Sequence, residues 1–192
     1  MNKNTTYVVG LVVVIALGVA AYLLWPVAPV PQTLGVATTT PQLRTYTAPG
    51  SEFSIRYPAG FTVESNEKGV LLHIPAALAT DTNLSTDSYL SVERGPDKAT
   101  CTAADFLESP VSEQMVTDAG VTYAYGTVQG AAAGNRYEEI VYVLPDCYAI
   151  RYFIHSTVVE NYPEGTSRTF DRDGLIGIFD DIRRSLQMQV KG

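Results

Sequence analysis

The sequence predicts an α+β domain: a twisted antiparallel sheet of about seven strands flanked by helices, preceded by one transmembrane helix. Three observations carry this. Short runs of alternating apolar and polar residues recur from residue 52 onward, with Gly, Pro, Asn and Asp between them. The connections between the later runs are too short to join parallel neighbours. A stretch near the C-terminus repeats apolar residues at helical spacing. A pure β-sandwich is the alternative architecture.

The chain opens with "YVVGLVVVIALGVAAYLLW", residues 7–25, which carries no charge. As a helix it reaches about 28 Å, close to the thickness of a bilayer's hydrocarbon core. Tyr7 and Trp25 stand at its ends, where amphipathic rings favour the interface. A core helix of this length would carry a polar face. Lys3 precedes the span, and no Lys or Arg follows until Arg44, so residues 1–6 are expected in the cytoplasm and the rest outside. A cleaved signal peptide is the rival reading. Its apolar region would be shorter, and "LGVA", ending at Ala37, is far downstream for a cleavage site. No cysteine comes just after the span, which excludes a lipoprotein anchor. Residues 26–47, rich in Pro and Thr, read as an extended linker. Residues 48–192 read as the extracytoplasmic domain.

All 20 acidic and 12 of the 13 basic side chains lie from Arg44 onward. That balance disfavours electrostatic binding to nucleic acid or to anionic lipid.

Within the domain, "EFSIRY" places Phe53, Ile55 and Tyr57 on one face, and "PAG" makes a turn into "FTVES". "GVLLHIP" is a further apolar run. In "SYLSVER", Tyr89, Ser91 and Glu93 stand opposite Leu90, Val92 and Arg94. "ATCTAADFLES" reads as a short helix capped by Thr100 or Thr102. "EQMVTD", "VTYAYGTVQG", "RYEEIVYVL" and "YAIRYFIHS" follow as an antiparallel meander, with "GAAAGN" and "PD" as turns. In "TFDRDGLIGIFDDIRRSLQMQV", Leu175, Ile178, Phe179, Ile182 and Leu186 form a helical stripe. Asp171 or Asp173 suits its N-terminus, and Asp180 faces Arg184 one turn on.

The chemistry-bearing residues are sparse. Cys147 and His155 sit in one run, "CYAIRYFIHS", but a straight strand holds them about 26 Å apart, beyond the reach of a thiolate–imidazole pair. Cys101 and Cys147 are the two cysteines of the chain and are expected to pair, as in most exported domains, with free buried thiols as the alternative. His73 and His155 read as structural. Glu138 and Glu139 are strand neighbours pointing to opposite faces, so they are no acid–base couple. "DRDG" lacks the later ligands of a calcium loop, and no HExxH, GxSxG or Walker sequence occurs. No metal or cofactor is therefore expected. The chain holds 12 tyrosines; Tyr123 and Tyr125 share one strand face, and Tyr148 and Tyr152 another. They are the candidate ligand face, with packing of half-buried sheets as the blander role.

The opening "EFSIRYPAGFTVES", the pair "YEEIVYVL" and "CYAIRYFIHS", and the closing "FDDIRRSL" together resemble PsbP-like domains over most of residues 45–189. The resemblance implies an α/β/α sandwich around an antiparallel sheet, as in exported bacterial members, and the membrane anchor expected here departs from the soluble plant members. Plant members bind calcium or manganese, but no metal-binding positions match here. The expected role is a non-enzymatic, membrane-tethered domain that binds an envelope protein or helps assemble an envelope complex. A module binding glycan or a small molecule through its tyrosine-rich faces is the alternative, and an unrecognised hydrolase using His155 is a third.

Overall fold

The computed structural model describes residues 42–108 and 111–189. The expected membrane span and the linker as far as residue 41 lie outside them. Among the described residues, no helix is long and apolar enough to cross a membrane.

The main sheet has seven strands in the order β3-β4-β5-β9-β8-β7-β6, every pair antiparallel. The strands are β3 (Thr62–Asn66), β4 (Gly69–His73), β5 (Tyr89–Arg94), β6 (Gln114–Asp118), β7 (Val121–Ala132), β8 (Asn135–Val143) and β9 (Tyr148–Thr157). A three-stranded sheet joins β1 (Leu43–Thr47), β2 (Phe53–Pro58) and β10 (Gln187–Met188), with β2 in the middle. Two α-helices complete the described fold: a single turn, α1 (Ala76–Ala79), and α2 (Arg172–Arg184). β6 to β9 form the expected meander, and β5 returns to the far side of β9.

Four expectations change. Residues 43–47, read as the end of the linker, pair with β2 as β1. β10 follows α2 on the other side of β2, closing the small sheet. The helix expected around Phe106 is only a 3₁₀ turn, Ala103–Asp105, closed by a capping box between Thr102 and Asp105. That tight turn delivers Phe106 and Leu107 onto Val141, Val143 and Ala149, and Cys101 to Cys147. The two sides of the sheet are therefore not matched helical layers. Finally, "GAAAGN" is mostly strand: Ala132 pairs with Asn135, leaving only Ala133 and Gly134 in the turn. Both have positive φ, 50° and 81°, as a two-residue hairpin of matching twist requires.

The core follows from strand alternation. Val70, Leu72, Leu90, Val92, Ile150, Tyr152 and Ile154 are all buried on one face. Against them lie Phe53 and Ile55 of β2, and Leu175, Phe179 and Ile182 of α2. Ile178 and Leu186, the other members of the predicted stripe, are half-buried at its margin. The Asp171 side chain caps α2, accepting from the Gly174 amide at 2.9 Å.

Cys101 and Cys147 form a disulfide across 46 residues, with Cα atoms 5.2 Å apart. Cys147 closes the β8–β9 turn at a positive φ of 58°, and its amide donates to the Leu144 carbonyl at 3.1 Å. The bridge thus ties the 3₁₀ segment to the central hairpin. Replacing both cysteines by serine should lower the unfolding free energy by roughly 2–4 kcal/mol in urea titrations under oxidising conditions. An unchanged midpoint would show that the bridge holds nothing the packing does not already hold.

Candidate functional site

A cleft of about 920 Å³ lies at the far end of the β7–β8 hairpin. Its floor is the helix-side face of β7, β8 and β9, with Gln129, Arg136, Glu138 and Ile154. Its walls are the 3₁₀ segment Val159–Asn161 with the residue before it, and the approach to α2 through Phe170 and Arg172. The cleft lies where the β7–β8 hairpin runs past the N-terminal end of α2.

Two polar fastenings hold its shape. Asn83 is buried and donates to the Thr157 carbonyl at 2.6 Å, while its side-chain oxygen accepts from the Phe170 amide at 2.9 Å. It staples the end of β9 to the chain entering α2. Arg172 grips Glu138 with two hydrogen bonds, from Nε to Oε2 at 2.8 Å and from Nη2 to Oε1. That fork geometry is the strongest form of a carboxylate–guanidinium pair. It leaves the Glu138 carboxylate neutralised and oriented. Arg136, on the same floor, is exposed and forms no ion pair among the described residues. A smaller cleft of about 380 Å³, beside Ala76, Leu84 and Tyr162, adjoins the first through Asn83 and Thr157.

The four tyrosines singled out from the sequence pack elsewhere. Tyr152 is fully buried, and Tyr123 and Tyr148 nearly so, while Tyr125 is half-buried. Tyr123, Tyr125, Tyr142 and Tyr152 form a cluster with ring centroids 5.2–5.6 Å apart. They enclose Arg183, whose guanidinium lies 4.1 Å from the Tyr142 ring centre and 5.1 Å from that of Tyr123. Arg183 donates from Nε to the Tyr152 hydroxyl at 2.9 Å and from Nη2 to Asp118 and Asp180. The Tyr152 hydroxyl donates to Asp180 at 2.9 Å. Burial pushes the Tyr142 hydroxyl up to about 12 and the Tyr152 hydroxyl higher still. Tyr148 instead donates to Glu52 at 2.8 Å. These rings are consumed by packing and hydrogen bonds, so they present no continuous surface to a ligand.

The opposite face of the sheet carries the rings that sequence reading did not assemble. His73, Tyr89, Phe153, Tyr137 and His155 run in a row from β4 to β8, with successive centroids 5.8, 5.0, 6.1 and 4.6 Å apart. All five are half-buried. Alternation gave each residue its face, but neighbours across strands appear only once register is known. His155 contacts Asp87 through Nδ1 and Asn135 through Nε2, at 2.9 and 3.0 Å. Both nitrogens are thus engaged, and Cys147 is in its disulfide, so the two make no dyad. Beside the row, Arg151 bridges Glu93 and Glu139 at 3.0 and 2.9 Å. Glu138 and Glu139 therefore serve opposite faces, as alternation requires. Among the described residues, no group of three His, Cys, Asp or Glu is placed to hold a metal ion.

Hydrogen bonds from Arg183 and Arg184 hold the Asp118 carboxyl below its ordinary value. A depressed folded-state pKa gives stability that is present above the unfolded pKa, about 3.9, and lost as pH falls through the folded value. Asp118→Asn should therefore destabilise the protein at pH 5–7, and the gap to wild type should narrow as pH falls below about 3.9 in denaturation curves. A pH-independent gap would mean that the Asp118 charge plays no part in the clamp.

No family model and no curated protein matches the chain. Among solved structures, the chain is similar to a Bacteroides thetaiotaomicron protein at 14% identity and a TM-score of 0.48, over 78% of this chain and 49% of that one. It thus spans about half the length of the Bacteroides protein. It is also similar to the cyanobacterial PsbP (CyanoP) of Synechocystis at 15% identity and a TM-score of 0.40, over 84% of this chain and 100% of that one.

Proposed function

We propose that this is a PsbP-like domain held outside the cell membrane by residues 7–25, which works without catalysis by binding a partner protein of the envelope. The observation that carries the reading is the cleft at the end of β7 and β8. It is large, open and fastened by Asn83 and Glu138–Arg172, and its half-buried Glu138 carboxylate is already ion-paired. Such a lining suits holding a ligand. The disulfide agrees with an oxidising compartment. The uncharged span and the Pro- and Thr-rich stretch after it agree with a tether.

A photo-crosslinking residue at Glu160, on the cleft wall, tests this in the full-length protein in its native membrane. The expected result is one discrete crosslinked partner, absent when the same residue replaces Lys68 between β3 and β4. No product from Glu160, or the same products from both positions, would contradict it.

A second reading, binding of wall glycan, is favoured by the half-exposed ring row, since sugars stack on aromatic faces. Against it, the rings of Tyr89 and Phe153 stack on each other at 23° between planes, as do those of Tyr137 and His155 at 20°. Their faces are largely spent on one another. Co-sedimentation with insoluble glycan that is abolished by Tyr89→Ala would establish this second reading, and no co-sedimentation would remove it.

A further inference from the structure

We infer that the outer edge of β7, over residues 127–131, takes an extended acidic segment of the partner as an added strand, whose side chains enter the adjoining cleft. The inference rests on the partner-binding reading above and gives it a mode.

The register fixes where the backbone groups point. Ala132 and Asn135 close the two-residue turn, so they exchange hydrogen bonds, as do the pairs 130/137 and 128/139. Residues 127, 129 and 131 lie between, with amide and carbonyl groups turned away from β8. At the other end of β7, Asp118 and Val121 close the turn to β6, and the pairing continues to Gln114 opposite Tyr125. There β6 ends. The residues before it leave the edge: Glu113 accepts from the Ala103 amide at 2.7 Å, and Val111 lies beside Gly126 on the other face. Thr127, Gln129 and Ala131 are exposed, and among the described residues no backbone partner faces their outward groups. Three donors and three acceptors stand in a row about 13 Å long. Only another extended backbone matches that pattern.

The edge also lacks the devices that keep strand edges unpaired. From residue 126 to 132 it reads GTVQGAA, without charge or proline. The other outer strand, β3, carries Glu64 and is followed by Glu67 and Lys68. The acidic character of the guest follows from Arg136. It lies across from Ala131 on the cleft floor, and that alanine puts only a methyl group between the guanidinium and the open edge. Arg136 has no ion pair among the described residues. A carboxylate on the added strand, facing the cleft, would supply one.

The test uses full-length protein in lipid nanodiscs and a fluorescein-labelled decapeptide of alternating Val and Thr with two Glu on the Thr face. Gln129→Pro deletes an amide that points outward, so it spares the β8 pairing. Anisotropy titrations should show binding weakened about tenfold by Gln129→Pro. They should show no binding of the same peptide N-methylated at alternate residues, and Arg136→Glu should prefer a Lys-containing analogue. The N-methylated peptide keeps the test valid if the proline variant fails to fold. Equal binding of the methylated peptide would overturn the inference. So would an edge-dependent dimer of this chain without peptide uptake, which would assign the edge to a second copy. An undiminished Glu160 crosslink in Gln129→Pro would overturn strand addition alone, whereas no Glu160 product in wild type would remove the partner-binding reading itself.

Discussion

The buried guanidinium of Arg183 is the constraint on which the rest of the architecture depends. Taking a charge out of water costs several kcal/mol unless it is paired and hydrogen-bonded. Here Asp118, Asp180, the Tyr152 hydroxyl and two tyrosine rings supply the compensation. They come from four elements: the β6–β7 hairpin with Asp118 and Tyr123, α2 itself with Asp180, the central strand β9 with Tyr152, and its neighbour β8 with Tyr142. Satisfying one charge therefore fixes the helix against the sheet in both rotation and height. Eleven residues back along α2, about 16 Å away, Arg172 meets Glu138 at the cleft. The cleft wall is set by a clamp at the other end of the helix.

That arrangement divides the main sheet into zones. On one face, α2 and the small sheet cover the middle and leave the ends of β7 and β8 uncovered. On the other, the 3₁₀ segment packs over Val141, Val143 and Ala149, and Arg151 with its two glutamates separates this cluster from the ring row. The ring row holds its half of the sheet through cross-strand contacts rather than through a covering layer. A fold this economical in helices leaves backbone and side chains accessible on both faces.

Much of this was legible in the sequence. The strand faces of β2, β5 and β9, the meander, the helical stripe with its Asp171 cap and the cysteine pair all follow from period, spacing and the expectation of an exported domain. What was not legible depends on register or on competition between local signals. "LRTYT" shows no apolar alternation, because β1 is an edge strand with little burial, so it read as linker. Ala131 and Ala132 resemble a loop in composition, and only the positive φ pair after them confines the turn. Arg183 carries no sequence mark that separates it from Arg184 beside it. Its burial becomes visible only when Tyr123, Tyr142 and Tyr152 from three strands are brought together. The same tyrosines suggested a ligand surface because composition does not distinguish a ring that faces solvent from one that faces a buried cation. Glu138, Arg136 and the open edge of β7 carried no sequence signal, since a site made where one strand outruns its neighbour is a property of strand lengths.

The most direct measurement of this account is residue-resolved amide hydrogen exchange on the full-length protein and on Arg183→Met. If Arg183 couples helix, sheet edge and cleft, the amides of α2 and of β6 with its turn into β7 lose protection together, and the loss reaches Phe170 and Arg172, while the β5–β9 pair keeps its protection. Loss confined to α2 with β6 unchanged, or no loss at either, would contradict the claim that one buried charge positions all three.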